Sequence, residues 1–190
     1  MPSPYSITGY AIVSSDGMIA DSHSFMPDTL KIDADKEFFA RELDHVDILV
    51  HGRHSHECQE NSPLRRRLIM TRKAAGIAPD YEYPNSLLWN PAGASLEEAC
   101  RALGVTAGVV AVLGGTEAFD MFLREGYQTF HLSRAENAQL PGGRPVFSPV
   151  GPCRSPEDLL THFGLEPGPN QVLDSASALT LVTWTRPPAR

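Results

Sequence analysis

Two glycine-bearing segments follow apolar runs and combine residue types that could hold a phosphate. Gly114-Gly115-Thr116 follows the run Val109–Leu113, and Gly52-Arg53-His54-Ser55 follows the run Asp47–Val50. A turn between a strand and a helix directs backbone N–H groups and the positive end of the helix dipole at one point, and glycine has no Cβ to obstruct a phosphate there. The same spacing also fits an ordinary tight or solvated turn that binds nothing.

A pair of basic residues follows a third apolar run. Arg67–Thr71 is predicted to be a strand, with Thr71, Arg72 and Lys73 at its carboxyl end. In a parallel sheet the carboxyl ends of the strands lie at one edge, so these residues would join both glycine turns. Cationic side chains there would recognise the additional phosphate that distinguishes NADPH from NADH. The pattern favours NADPH as the cofactor, with plain surface charge as the alternative.

One carboxylate is spaced to act on a substrate. Asp35 lies four residues before Phe39 in a segment with helical periodicity, so both side chains would face the buried side. A carboxylate at the edge of an apolar cleft has a raised pKa and can relay a proton. The helix dipole alone also favours an acidic residue in a first turn, so a purely electrostatic role is the alternative.

Composition and the remaining motifs argue against several other classes of function. With 23 acidic and 16 basic side chains, the net charge of -7 disfavours a nucleic-acid backbone or an anionic membrane as the main partner, which leaves a small molecule. His51, His54, His56 and Cys58 would be splayed by a strand end and an irregular turn, so we expect no bound metal. The run Arg65-Arg66-Arg67 is interpreted as a solvated turn.

An α/β fold of alternating strands and helices would position these residues. The alternation predicts βαβ units in one three-layer αβα domain over residues 1–190, with a mostly parallel, twisted sheet and an antiparallel edge. A cytoplasmic protein is expected, since no apolar stretch approaches 20 residues and the amino terminus lacks a basic segment before an apolar run. Strands are predicted at Ile7–Ser14, Met18–Ala20, Asp47–Val50, Arg67–Thr71, Ser86–Trp89, Val109–Leu113, Gln128–Ser133 and Ala178–Thr185.

Capping residues and apolar periodicity predict four helices. The first begins near Asp33, which could cap it, and Val46 closes its apolar stripe. Later helices begin at Ser95, after Gly115 and at Ser155. The helix after Gly115 should bury four residues and stop at Gly126, the four being Ala118, Phe119, Phe122 and Leu123.

Taken in order, several segments resemble one known family. It is the reductase domain at the carboxyl end of bifunctional riboflavin-biosynthesis deaminase–reductases, the RibD C-terminal family of the dihydrofolate-reductase-like superfamily. Ser14–Ala20 looks like the first-strand signature of that family, and Ile48–Arg53 looks like its second strand and cofactor turn. Val112–Thr116, with Phe119 and Phe122-Leu123, looks like the dinucleotide segment of that family. Phe130–Ser133 and Pro141–Phe147 look like the strand and the loop that follow that segment.

The resemblance implies a dihydrofolate-reductase-like fold and an NADPH-dependent reductase that forms a homodimer. Asp35 would be the substrate carboxylate, Ser133 its hydrogen-bonding partner, and Phe39 a wall of the substrate cleft. Thr71 and Arg72 would meet the 2′-phosphate. The expected cofactor residues are Gly52, Arg53, His54, Ser55, Thr71, Arg72, Gly114, Gly115 and Thr116.

Two positions of the predicted substrate pocket depart from the relatives. Tyr10 stands where the riboflavin-pathway reductases carry a lysine, and Ile12 stands where dihydrofolate reductases keep an alanine. The reaction implied is that of a 5-amino-6-(5-phosphoribosylamino)uracil reductase, with hydride transfer to a heterocyclic or ribosylamino substrate. A dihydrofolate reductase, a nucleotide-binding module without catalysis and an interaction protein are the alternatives.

Overall fold

The structure, a computed structural model, describes residues 3–55 and 57–188 of the chain. His56, one of the residues considered as a metal ligand, lies outside the described residues. The helices are α1 (Asp33–Leu43), α2 (Leu96–Ala102), α3 (Thr116–Glu125) and α4 (Pro156–His162). The strands are β1 (Tyr5–Ser14), β2 (Met18–Ala20), β3 (Ile48–Gly52), β4 (Arg67–Met70), β5 (Ile77–Pro79), β6 (Ser86–Trp89), β7 (Gly108–Val112), β8 (Thr129–Ala135), β9 (Arg144–Pro145), β10 (Glu166–Asp174) and β11 (Leu179–Thr185).

Nine strands form one sheet in the order β10-β11-β8-β1-β7-β3-β4-β6-β5. The six strands from β8 to β6 in this order run parallel. At one end β11 and β10 are antiparallel, which confirms the predicted antiparallel edge. A second antiparallel strand, β5, lies at the other end and was not predicted. A homodimer through a sheet edge stays a prediction.

Helices cover both faces of the sheet, which confirms the three-layer αβα class. Along β1, Ile7 and Val13 pack into the larger core with residues of α2, α3 and α4. Tyr10 points to the other face, where it packs with Leu43 and Phe39 of α1. Successive residues of a strand point to opposite faces, so this alternation places α1, alone of the described α-helices, on one face of the sheet. Among the described residues, no helix has the length and apolar character needed to cross a bilayer.

Local signals in the sequence define three of the helices. Ser95 and Ser155 each form a capping box with the residue three positions on, which satisfies N–H groups that a helix start leaves unpaired. In α3 all four predicted core residues are buried, and the helix ends at Gly126, whose φ is 109°. A buried phenylalanine is worth about 1.5–3 kcal/mol, so Phe119 and Phe122 contribute strongly to stability.

The start and end of α1 differ from the prediction. Ile32, not Asp33, is the N-cap residue, and the Asp33 carboxylate instead pairs with Lys36 Nζ at 2.8 Å. The helix ends at Leu43, and Val46 packs against the same apolar cluster from outside it. The apolar stripe therefore continues beyond the hydrogen-bonded helix.

The interpretation of Arg65-Arg66-Arg67 as a solvated turn is wrong for Arg65 and Arg67, whose side chains are 11% and 1% exposed. One terminal nitrogen of Arg67 lies 3.1 Å from Glu57 Oε1. Arg65 contacts the same carboxylate, 3.4 Å from Oε2. Burial alone would raise the pKa of Glu57, but the Gln59 N–H, Ser62 and the two arginines outweigh it and lower that pKa. Glu57 thus ties the segment after β3 to the start of β4.

Replacing Glu57 by alanine should destabilise the protein by about 3 kcal/mol, because it removes the carboxylate that pairs with the buried Arg67 charge. Urea unfolding of both proteins measures this difference. The control is Glu97→Ala, which removes the exposed Glu97–Arg101 pair of α2 and should cost no more than about 0.5 kcal/mol. Equal effects of the two substitutions would contradict the prediction.

Candidate functional site

The two predicted glycine turns meet at the carboxyl ends of neighbouring strands. β3 and β7 are parallel neighbours, with Val50 opposite Val112. Beyond them, the Gly52 N–H donates a hydrogen bond of 2.7 Å to the Gly114 carbonyl oxygen. The Ser55 hydroxyl oxygen lies 3.4 Å from the place where a Cβ on Gly115 would be. Gly52, Ser55, Gly114 and Gly115 therefore surround one small space.

The start of α3 opens onto the same space. Gly115 is the N-cap residue and has no side chain with which to cap the helix, so the N–H groups of the first turn are left for solvent or a ligand. The Gly114-Gly115 peptide is cis, and the φ of Gly114 is 116°. The Thr116 hydroxyl donates to the Pro145 carbonyl oxygen at 2.5 Å. Thr116 is thus available to a phosphate chiefly through its backbone.

The predicted basic residues lie close to this helix start. Thr71 follows β4, and its hydroxyl oxygen accepts a hydrogen bond of 3.2 Å from the Lys73 N–H. Arg72 lies 3.4 Å from the Glu117 carboxylate in the first turn of α3, and both side chains are largely exposed. Arg53 and His54 are exposed on the turn after β3. The structure therefore brings Arg72 to α3 and places Arg53 and His54 at the same edge of the sheet.

On the α1 side, the predicted catalytic pair lies over the junction of β1 and β8. Ile12 of β1 is opposite Ser133 of β8, and Leu181 of β11 completes this row. Asp35 of α1 is half-buried and Ser133 is buried. Burial raises the pKa of Asp35, and a hydrogen bond with the Ser133 side chain partly offsets this effect. The two side chains thus interact, and their catalytic role stays a prediction.

A second row of side chains lies two residues earlier along the same strands. Tyr10, His131 and Thr183 stand side by side on β1, β8 and β11. The Tyr10 and His131 rings stack with centroids 4.9 Å apart and an interplanar angle of 19°. Glu42 of α1 lies above them, with Oε2 3.5 Å from the Tyr10 hydroxyl and 3.6 Å from His131 Nε2.

The second row holds uncharged rings beside one carboxylate. Burial lowers the pKa of His131, more strongly than Glu42 raises it, so the imidazole is neutral at pH 7. Its Nδ1 lies 3.0 Å from the Thr183 hydroxyl oxygen. With the proton on Nε2, Nδ1 accepts from Thr183 while Nε2–H faces Glu42. Burial, followed by Glu42, also raises the pKa of Tyr10, which keeps its hydroxyl protonated.

Sequence reasoning missed Glu42 and Phe38 and assigned no role to His131. Phe38 packs edge-on against His131, with ring centroids 5.4 Å apart, and Phe39 does so against Tyr10 at 5.9 Å. A signal was present, since Glu42 follows Asp35 by seven residues and so lies on the same face of α1. His131 alternates with Ser133 in the same way along β8.

The histidines near the Gly52 turn form no metal site within the described residues. His51 is buried, and its Nδ1 lies 2.8 Å from the Gly52 carbonyl oxygen. His54 is exposed. Among residues 3–55 and 57–188, no group of three or more histidine, cysteine, aspartate or glutamate side chains is arranged to hold a metal ion.

Solved structures share this fold. No protein-family model and no curated protein sequence matches the chain. A crystal structure of a protein described as a riboflavin biosynthesis protein, from Shewanella sp. PV-4, superposes with a TM-score of 0.64 at 18% identity, covering 96% of this chain and 99% of that one. Dihydrofolate reductase from Enterococcus faecalis, complexed with NADP(H) and RAB-propyl, superposes with a TM-score of 0.62 at 17% identity, covering 95% and 96%.

These neighbours confirm the fold that the sequence resemblance implied. The chain has the dihydrofolate-reductase-like fold.

Replacing Asp35 by asparagine should stabilise the protein at neutral pH. Because the pKa of Asp35 is raised in the folded chain, stability contributed by the protonated carboxyl is lost as pH rises from the unfolded value of about 3.9 through the folded one. Asparagine does not ionise, so the Tm of Asp35→Asn minus that of wild type should grow between pH 4 and pH 8. Asp33→Asn, at an exposed position of the same helix, should show no such gain. A higher Tm for wild type at pH 8 would contradict the prediction.

Proposed function

We propose that the protein is an NADPH-dependent reductase that transfers a hydride to a C=N or C=O bond of a flat nitrogen heterocycle or a ribosylamino substrate. The reaction proposed is that of a 5-amino-6-(5-phosphoribosylamino)uracil reductase. The hydrogen bond between Gly52 and Gly114 carries this proposal, because it joins two strand ends, with their backbone N–H groups, beside the start of α3.

The residues at these strand ends fit a dinucleotide phosphate. A Cβ on Gly52 would lie 3.6 Å from the Gly115 backbone nitrogen, within the space that a phosphate oxygen needs to reach that N–H. Arg72, which contacts Glu117 at the start of α3, would turn to a 2′-phosphate in place of that exposed carboxylate. An exposed ion pair contributes little, so exchanging it for a phosphate contact costs little.

Asp35 and Ser133 would act at the substrate end. NADPH supplies the hydride when it is bound, which leaves the chain to position the substrate and deliver a proton. Burial keeps a larger fraction of Asp35 protonated at neutral pH than an exposed aspartate, so it can donate to the substrate nitrogen or oxygen. The Ser133 hydroxyl orients that carboxyl, and Phe39 walls the cleft. Holding both reactants in contact is worth several kcal/mol of barrier, on the order of 7 in favourable cases.

NADPH should raise the melting temperature more than NADH does. A ligand at one hundred times its dissociation constant stabilises by about 2.7 kcal/mol, which corresponds to roughly 5–10 °C for a chain of this size. In Arg72→Ala the NADPH shift should fall to the NADH level, and in Gly52→Ala both shifts should fall. Gly52→Ala makes only ordinary contacts, so the melting temperature without ligand should stay unchanged.

Two control variants make this assay specific. Arg101→Ala removes another exposed arginine paired with a glutamate, and Gly151→Ala adds a Cβ that would meet nothing within 4 Å. Both should keep the wild-type NADPH shift. The absence of any NADPH shift in wild type would overturn the proposal and favour an interaction protein.

Asp35→Asn should lower turnover by about a hundredfold or more, the usual effect of removing a general acid, and leave the NADPH dissociation constant unchanged within about twofold. The assay follows NADPH oxidation with 5-amino-6-(5-phosphoribosylamino)uracil, and Asp33→Asn is the control on the same helix. Turnover of dihydrofolate instead would assign the alternative reductase. NADPH binding without turnover of either compound would indicate a nucleotide-binding module.

A further inference from the structure

We propose that His131 is a positioning residue of the substrate site, which holds α1 against β8 and so keeps the Asp35 carboxyl beside Ser133. It acts as a ring packed between α1 and the sheet and touches no reacting atom. This inference rests on the proposed function, in which Asp35 delivers a proton.

The helix α1 depends on such a contact because it buries little apolar surface. Of its eleven residues, all of which the structure describes, Leu43 alone is buried, while Phe38 and Phe39 are half-buried. A helix in a folded protein is held mainly by the apolar face that it packs against its neighbours. Leu43 packs toward β3 and β7, with Leu49 and Ala111. The position of α1 over β8 is therefore determined by other contacts.

Those contacts converge on the imidazole of His131. The Phe38 ring packs edge-on against it, with centroids 5.4 Å apart, and Glu42 Oε2 lies 3.6 Å from Nε2. On the sheet, the imidazole stacks on Tyr10 with centroids 4.9 Å apart, and its Nδ1 lies 3.0 Å from the Thr183 hydroxyl oxygen. His131 is thus fixed by β1 and β11 and in turn contacts two residues of α1.

The spacing of these residues connects His131 to the position of Asp35. Phe38 and Glu42 follow Asp35 by three and seven residues, so all three lie on one face of α1. His131 precedes Ser133 by two residues, about 6.6 Å along the same face of β8. α1 therefore contacts β8 both at Ser133 and at His131, and without the second contact it could rotate about the first. A misplacement of about 1 Å can lower a rate by about a hundredfold.

The imidazole adds no charge beside Asp35 at neutral pH. Burial lowers the pKa of His131 more strongly than Glu42 raises it, so the ring is neutral at pH 7. Two charged residues of α1 near Asp35, Asp33 and Lys36, are exposed and pair with each other. Burial is the main cause of the raised pKa of Asp35. A fall in that pKa when His131 is removed would therefore report a loss of burial.

The pKa of Asp35, measured without cofactor or substrate, tests the proposal. Protein labelled with ¹³C at the aspartate carboxyls is titrated by NMR between about pH 4 and pH 8, and the Asp35 signal is the one that Asp35→Asn lacks. In His131→Ala the Asp35 carboxyl should become more exposed, so its pKa should fall toward the ordinary aspartate value. His131→Phe keeps a ring against Tyr10 and Phe38 and should restore most of the wild-type pKa.

A matched control separates the position of α1 from a general loosening of the fold. Phe163→Ala removes a half-buried ring that packs against the larger core on the opposite face of the sheet, and it should leave the pKa of Asp35 unchanged. Equal falls in Phe163→Ala and His131→Ala would overturn the proposal, as would an unchanged or higher pKa in His131→Ala. If His131→Ala does not fold, Thr183→Val takes its place, because it removes the hydroxyl that fixes the imidazole, and an unchanged Asp35 pKa there would overturn the proposal.

Turnover of 5-amino-6-(5-phosphoribosylamino)uracil connects this position to the reaction. In His131→Ala, kcat at pH 7 should fall about tenfold or more while KM and the NADPH dissociation constant stay within about twofold, because only the proton donor is displaced. The pH at which kcat declines should move down with the Asp35 pKa, since Asp35 acts in its protonated form. A lowered pKa with unchanged kcat would overturn the proposal. If the wild type reduces no substrate while the pKa still falls in His131→Ala, the proposed function fails and the placement of Asp35 by His131 stands.

Discussion

The central strand β1 is paired in parallel with β7 on one side and with β8 on the other, and this placement determines where every candidate residue lies. The strands on the β7 side end in the glycine turns and the basic residues. β8, on the other side, carries Ser133 and His131 beneath the carboxylates of α1. Gly9 allows this placement, because a Cβ there would lie 2.3 Å from the Phe130 ring. The aromatic layer on the other face thus presses directly on the β1 backbone.

The candidate groups on one side of β1 belong to the backbone, and those on the other side belong to side chains. At the glycine turns the groups that could bind a phosphate are backbone N–H groups at the start of a helix. The pairing of the strands determines their positions. Under α1 the candidate groups are side chains whose pKa is shifted by burial, as at Asp35, Tyr10 and His131. Phosphate binding at the turns would therefore tolerate changes in pH better than chemistry at α1.

Much of the fold could be predicted because its signals are local. The capping box at Ser95 and the apolar face of α3 each need only a few neighbouring residues to be recognised. β10 was missed because seven of its nine residues are exposed and it contains Pro167 and Pro169, so it lacks the alternation of a half-buried strand. Arg67 was misplaced because its partner, Glu57, lies in an irregular segment that no periodicity identifies.

The sequence indicated the candidate residues at the strand ends but not the contacts between α1 and the sheet. Glycines and basic residues at strand ends indicated the cofactor side, since parallel strands bring their carboxyl ends to one edge. The Glu42–His131 contact joins residues 89 positions apart in sequence and depends on the register of β1 with β8, which a single sequence does not specify. Asp35 could be proposed because a resemblance indicated its role in addition to its spacing, and that role stays a prediction.

Of the described α-helices, α1 alone covers the face of the sheet that carries the Ser133 and His131 rows, whereas three α-helices and a cluster of aromatic rings bury the opposite face. α1 contributes none of the candidate cofactor residues. Under the proposed function, substitutions along these eleven residues would change which compound is reduced, while the hydride donor and most of the folding core are inherited unchanged. Such a division lets one scaffold diverge in substrate choice through a single short segment.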